Sequence, residues 1–320
     1  MKFIDKTNEA VQKKRERLIK WKKNFNEEKG RMPEDFYSEV NGNKIWALLS
    51  NYPSINYDLK VLAYDLWEEQ GGICCYCGQA IPNPMSDEGN SKSSIEHFDT
   101  KSANDIVNLD DRRKAIISRV FNYNNLLLSC AGGGAETTER KRKKDGTIET
   151  NQDMAVRMNL SLDIIEEFNP AFSNGLGEII KISDGKHCNV ARGSDKKKIV
   201  NPTDEIYKHQ DCWHLFEYKY PTDVRGNFGC EVFARDKTEG NIAENSYEVL
   251  KLNQRNLSYL RAQNYELFLN SYAEAVAQIG FDDNMLFKSL IQDYFEQRKQ
   301  ITYAFCFVDY SILQNFIDAL

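Results

Sequence analysis

Cys74 and Cys77 bracket Cys75-Tyr76, a spacing that lets two thiolates face one ion, and Gly78 follows where the tight knuckle of such a pair needs a residue without a Cβ. One pair is half of a tetrahedral zinc site. The other half falls to Cys130, at the end of Asn125-Leu126-Leu127-Leu128-Ser129-Cys130, and to Cys188, in His187-Cys188-Asn189. Between the halves, Ile95-Glu96-His97-Phe98-Asp99 sets an acid beside one of only 4 histidines in the chain. A carboxylate can hold a hard divalent cation, and a neighbouring imidazole with a pKa of about 6.5 can take a proton from water at neutral pH. Asn125 and Asn189 add neutral amides. The pattern therefore points to metal chemistry with a zinc-type structural centre.

The rest of the composition narrows the setting. No apolar run approaches the roughly 18 residues of a membrane span, and Met1 to Lys20 is charged where a signal peptide needs an apolar stretch. The expectation is a cytoplasmic protein without membrane contact. There the 8 cysteines are free for metal or packing rather than a disulfide framework. Cys75, Cys230 and Cys306 read as core thiols. His209, Cys212 and His214 form a second possible ligand set, against which Trp213 and Phe216 favour packing.

The formal net charge of −6 supplies no global attraction to nucleic acid, so phosphate contact must come from local patches. The candidates are Lys101, the run Arg140-Lys141-Arg142-Lys143-Lys144, Arg192, and Lys196-Lys197-Lys198, with Lys13 to Lys23 as a further basic stretch; each can equally be a solvated face.

The elements that must position these residues follow from periodicity. Lys13 to Lys23 and Tyr57 to Glu69 read as helices, the second closed by Gly71-Gly72. Ser94 to Phe98 reads as a strand, Ile106 to Val120 as a helix, and Phe121 to Cys130 as an apolar segment. Residues 131–187 form an insertion of loop-like composition with a more apolar piece near Met158 to Phe168. His214 to Tyr220 and Gly229 to Arg235 flank the turn-rich Pro221 to Asn227, a hairpin. Three amphipathic helices follow, around Leu257 to Phe268, Leu286 to Phe295 and Ile312 to Ile317.

The order Cys-x-x-Cys, Glu-His, Asn-Leu-Leu-Leu-Ser-Cys, Cys-Asn resembles the HNH endonucleases. The likeness is closest to the PtuB-type HNH proteins of Septu and retron anti-phage systems, through Asn201-Pro202 and Leu250-Lys251-Leu252-Asn253 with Leu257 and Arg261. The chain departs from that pattern at Thr100, where Pro is common, and in the 57 residues between Cys130 and Cys188.

The resemblance implies an α+β fold, mainly helical, with a central zinc-stabilised ββα-metal core and a β-hairpin. Its parts would be an N-terminal helical region 1–70, a nuclease domain 71–236 containing insertion 131–187 and hairpin 214–235, and a C-terminal helical region 237–320. It further implies structural Zn²⁺ on Cys74, Cys77, Cys130 and Cys188, catalytic Mg²⁺ or Mn²⁺ on Glu96 and Asn189, His97 as general base, and Asn125 as a brace for the loop presenting that histidine. The implied partners are a PtuA-like ATPase, a nucleic-acid substrate and, in retron members, a reverse transcriptase with its RNA–DNA product. Two other readings stand beside it: a zinc-stabilised binding module that does not cut, and a stand-alone restriction-type HNH enzyme.

Overall fold

A computed structural model describes residues 1–28, 59–86, 92–99, 106–132, 136–139, 143–158, 179–182, 187–208, 212–219, 229–238 and 241–279, less 2, 8, 194 and 196, plus single positions 162, 289, 292, 293, 296, 306, 310, 313 and 314. Its elements are α1 (Glu9–Glu28), α2 (Leu59–Gln70), β1 (Ser93–His97), α3 (Leu109–Val120), β2 (Leu126–Cys130), β3 (Glu136–Glu139), α4 (Asn151–Met158), β4 (Ile179–Ile182), α5 (Cys188–Arg192), β5 (Phe216–Lys219), β6 (Glu231–Ala234), α6 (Ile242–Val249) and α7 (Arg255–Ile279). The strands pair as three two-stranded antiparallel sheets, β1 with β2, β3 with β4, and β5 with β6. The chain is thus α+β.

β2 packs against β1, α2 and α5. Its sequence Leu-Leu-Leu-Ser-Cys is buried at every position, as a strand covered on both faces must be. One edge pairs with β1, in a register that sets Glu96 opposite Leu127 and His97 opposite Leu126. The other edge is closed by a side chain: Gln70, the last residue of α2, donates from Nε2 to the Leu128 carbonyl at 2.8 Å and accepts from the Leu128 amide at 2.7 Å. A buried amide that satisfies both backbone groups does the work of a third strand.

α2 buries Leu62, Ala63 and Leu66 toward the core, and α1 lies against it through Val11 and Leu18. The two helices also match in charge. Arg17 reaches the Asp65 carboxylate at 3.1 Å, Lys14 donates to the Asp65 carbonyl at 2.9 Å, and Lys6, just ahead of α1, pairs with Glu69 at 2.9 Å. The basic stretch at the start of the chain therefore spends several of its cations on an acidic helix.

α3 starts cleanly because Asn108 caps it, accepting from the amides of Asp110 and Asp111, whose carboxylates suit a helix N-terminus. Downstream, Asn253 pairs with the backbone of Val232 in both directions at 2.7 Å, and Arg261, 1 % exposed, donates to the Cys230 carbonyl at 2.9 Å. These two side chains tie β6 to the start of α7. No described helix is long and apolar enough to cross a membrane.

Several expected features lie outside the described residues: Thr100, Lys101, Arg140, Lys141, Arg142, Lys196, His209, the turn Pro221 to Asn227, and nearly all of the two last helical segments.

Candidate metal centre

The Cys74–Cys77 knuckle is shaped before any ion is considered. Ile73 bridges Ala80, the Cys74 amide donates to the Gln79 carbonyl at 2.8 Å, and Gly78 turns the chain with φ 75° while its amide reaches the Cys74 carbonyl at 3.1 Å. The Cys75 amide donates to the Leu128 carbonyl at 3.1 Å and so pins the knuckle to β2. Cys130, at the end of that strand, is then brought alongside.

Cys188 arrives from the far side of the insertion. β3 and β4 form an antiparallel ribbon that carries the chain out and back, and the His187 amide donates to the Gly132 carbonyl at 2.8 Å where the ribbon's ends meet. The Cys188 amide donates to the Leu250 carbonyl at 2.8 Å, and its φ of 54° is a backbone conformation that side chains beyond glycine rarely adopt. That strained residue aims its sulfur into the knuckle.

The four sulfurs lie within 4.8 Å of one another, all buried. Cys74 to Cys188 and Cys77 to Cys130 are each 3.8 Å apart. A zinc–thiolate bond of about 2.3 Å implies a tetrahedral S···S edge of about 3.8 Å, so both the donor set and its size fit zinc. Among the described residues this is the one gathering of three or more Cys, His, Asp or Glu groups close enough to hold an ion. Cys212 and His214 sit in a short 3₁₀ turn and join no such gathering among the described residues.

The cluster's electrostatics anticipate a cation. Burial opposes charge on Cys74, yet hydrogen bonds from the surrounding thiols hold it well below the usual thiol value, and the same balance brings Cys77 down to about 7. Cys188 is pushed up by burial and by its neighbours. Cys130, although lowered by its contact with Cys188, is pushed up more strongly by Cys74 and Cys77. Sharing of charge among four thiols leaves two sulfurs disposed to ionise and two to keep their protons.

His187 contributes a further contact, its Nε2 lying 3.4 Å from the Cys130 sulfur. The sequence offered it only as a flank of Cys188. A hydrogen bond to a ligand atom is the kind of outer contact that orients metal centres.

Glu96 and His97 lie beside this centre on β1, both 7 % exposed. His97 Nε2 donates to the Val120 carbonyl at 3.1 Å, so in the neutral imidazole the lone pair is on Nδ1. Glu96 Oε1 accepts from the Tyr76 hydroxyl at 3.3 Å and from Arg192 at 3.2 Å. Burial first, and then the Glu96 charge, push the Tyr76 phenol well above its ordinary value, so it stays a neutral donor. Both groups that hold Glu96 grow out of the metal centre: Tyr76 lies between Cys75 and Cys77, and Arg192 ends the helix that Cys188 begins.

Asn125 clamps the segment after β1. Its Oδ1 accepts from the Asp99 amide at 2.6 Å and its Nδ2 donates to the Asp99 carbonyl at 3.1 Å and the Arg119 carbonyl at 3.4 Å. Asn189 is half-buried on α5, three positions from Arg192 and hence on the same helical face.

The basic candidates divide. Arg192 turns inward to Glu96, the Phe98 carbonyl and the Phe98 ring. Lys143 pairs with Asp153 at 2.6 Å and Lys197 with Glu248 at 3.5 Å, while Lys144 and Lys198 are exposed. Tyr76 carried no signal in the sequence beyond its place inside the knuckle. No protein-family model, curated protein or solved structure matches the chain.

Proposed function

We propose that this chain is a metal-dependent HNH endonuclease that hydrolyses phosphodiester bonds of DNA or RNA, with a ββα-metal core formed by β1, β2 and α5. The observation that carries the reading is the contact between Arg192 on α5 and Glu96 on β1. It lays the helix bearing Asn189 against the strand bearing Glu96, while the adjacent His97 side chain reaches Val120 at the end of α3. Glu96 and Asn189 are hard oxygen donors suited to Mg²⁺ or Mn²⁺. Such an ion supplies charge for the scissile phosphate and the departing oxygen.

The chain's own residues supply the rest. By resemblance His97 is the general base; its Nε2–H is committed to Val120 and its Nδ1 is buried, so the site must open before that nitrogen meets water. Asn125 holds the turn after His97 in place. The four cysteines fix the framework from which Tyr76 and Arg192 position Glu96. By resemblance, the enzyme is the effector of an anti-phage system in which a PtuA-like ATPase controls its release or activation.

One observation favours a second reading, a zinc-stabilised nucleic-acid-binding module. Glu96 is buried and already ion-paired, as a purely structural acid would be.

Purified protein incubated with plasmid DNA and bulk tRNA, with Mg²⁺ or Mn²⁺ and with or without the ATPase, separates the two. The nuclease reading expects metal-dependent cleavage that falls on the order of 10²–10⁴-fold in His97→Ala with zinc content unchanged. Intact substrates under every condition, with binding retained, would establish the module.

A further inference from the structure

Arg192 touches Glu96 through one nitrogen and the Phe98 carbonyl through the other. Its Nη1 lies 3.2 Å from Glu96 Oε1 and 3.3 Å from the Tyr76 hydroxyl, and its Nη2 lies 2.8 Å from the Phe98 carbonyl. The guanidinium also stands over the Phe98 ring, 4.8 Å from its centroid. Only 13 % of the Arg192 side chain and 9 % of the Glu96 side chain are exposed. The same carboxylate oxygen thus holds a cation already, at the place where the proposed function seats a divalent ion.

A guanidinium cannot vacate such a position by losing its proton. It can leave only as a cation, and leaving is favourable when another anion receives it. A phosphodiester is that anion, because its oxygens match the planar fork of arginine better than a single carboxylate oxygen held at one nitrogen does. The root of Arg192 suits such a movement: it closes α5, and Gly193 follows it with φ 49° and ψ −117°.

We propose that Arg192 is a positioning residue that occupies Glu96 until a divalent ion displaces it onto a substrate phosphate, so that metal ion and nucleic acid bind cooperatively. The proposal rests on the reading of Glu96 as an ion ligand. Linkage makes the coupling reciprocal: nucleic acid tightens the ion as much as the ion tightens nucleic acid. It also assigns the buried ion pair a purpose that a merely structural pair lacks.

The test uses the full-length, zinc-loaded protein and Mn²⁺ alone as the probe, with affinity read from the electron paramagnetic resonance signal of free Mn²⁺. Arg192→Gln should bind Mn²⁺ about tenfold more tightly than wild type, a coupling of ordinary allosteric size. Losing a guanidinium 3.2 Å from Glu96 favours a cation there by charge alone, so this gain tests Glu96 as the ligand, and oligonucleotide binding tests the displacement. Adding Glu96→Gln to the same chain should abolish the gain. In a second measurement, a short fluorescent oligonucleotide should bind wild type more tightly when Mn²⁺ is present and lose that dependence in Arg192→Gln.

Oligonucleotide binding that keeps its Mn²⁺ dependence in Arg192→Gln, at equal zinc content, overturns the role of Arg192 and leaves Glu96 as a ligand. Mn²⁺ binding that is indifferent to Glu96→Gln, or absent from all variants, overturns Glu96 as a ligand and the displacement with it. Should Arg192→Gln fail to retain zinc, Arg192→Lys decides: its single ammonium should give a gain of several-fold, and an unchanged affinity there refutes the proposal.

Discussion

The His187 amide and the Gly132 carbonyl meet at 2.8 Å, and their bond closes the neck of the segment between the third and fourth cysteines. Because the cost of closing a loop grows only with the logarithm of its length, a long insertion whose ends are pinned in this way need not disturb the centre it interrupts. The β3–β4 ribbon supplies the return path. Cys188 therefore reaches Cys74 as directly as if a short turn joined the two halves.

That neck sets the first prediction. Gly132 has φ 69°, and a Cβ there would stand 2.5 Å from the His187 carbonyl oxygen and 2.6 Å from Val190 Cγ2. Gly132→Ala should destabilise the fold by about 1–3 kcal/mol and speed zinc loss to a chelator. Thermal melting and a colourimetric chelator assay check both; a variant with wild-type values in each would show that the neck tolerates a side chain.

Zinc content and its pH dependence form the second. The protein should carry one zinc, and Cys77→Ser or Cys188→Ser should lose it. Cys74 and Cys77 ionise below the ordinary thiol value, whereas Cys130 and Cys188 ionise above it. Zinc entry must then expel the protons that the four coupled thiols still share at the working pH. Affinity rises with pH while Cys130 and Cys188 remain protonated, and falls in acid as Cys77 protonates near pH 7. Proton release measured by calorimetry in buffers of different ionisation enthalpy gives the number directly.

The third concerns Lys6 and Glu69, an ion pair 2.9 Å long with side chains 4 % and 5 % exposed. Tyr123 donates to the same carboxylate at 3.0 Å and lies under the Lys6 ammonium. Burial lowers the Lys6 pKa despite the Glu69 charge that raises it, which marks the cost of holding this cation inside. Glu69→Gln alone should cost about 3–5 kcal/mol by stranding the lysine, and Lys6→Met with Glu69→Gln should cost less than the two single changes together. Denaturant titrations of the four proteins complete the cycle; additive losses would mean that the pair is not coupled.

Asn125→Ala is the fourth. It removes both clamps on Asp99, a residue at the surface, for a loss of about 1 kcal/mol. If the turn after His97 needs that clamp for catalysis, cleavage should drop further than the loss of folded protein explains. Activity per folded molecule, with the folded fraction from circular dichroism, reads the difference. Equal losses would confine Asn125 to stability.

The sequence by itself determined the chemistry on offer. Cysteine spacing, the Glu96-His97 pair and the apolar run before Cys130 are local facts, and local propensity carried them onto a knuckle, a strand and a buried strand. It also placed a helix ending at Val120, whereas the start at Leu109 and its Asn108 cap came from the structure. Tertiary structure alone decided which charges remain for a ligand. Lys14 and Arg17 are taken by α2, Arg192 is drawn onto Glu96, and Gln70 replaces a strand edge. Each of these depends on how two separately legible elements dock, and a side-chain charge is the same letter whether it meets water, a carboxylate or a phosphate. The physical reason is that pairing energy is set by distance and burial between residues far apart in the chain, which periodicity along one segment does not encode.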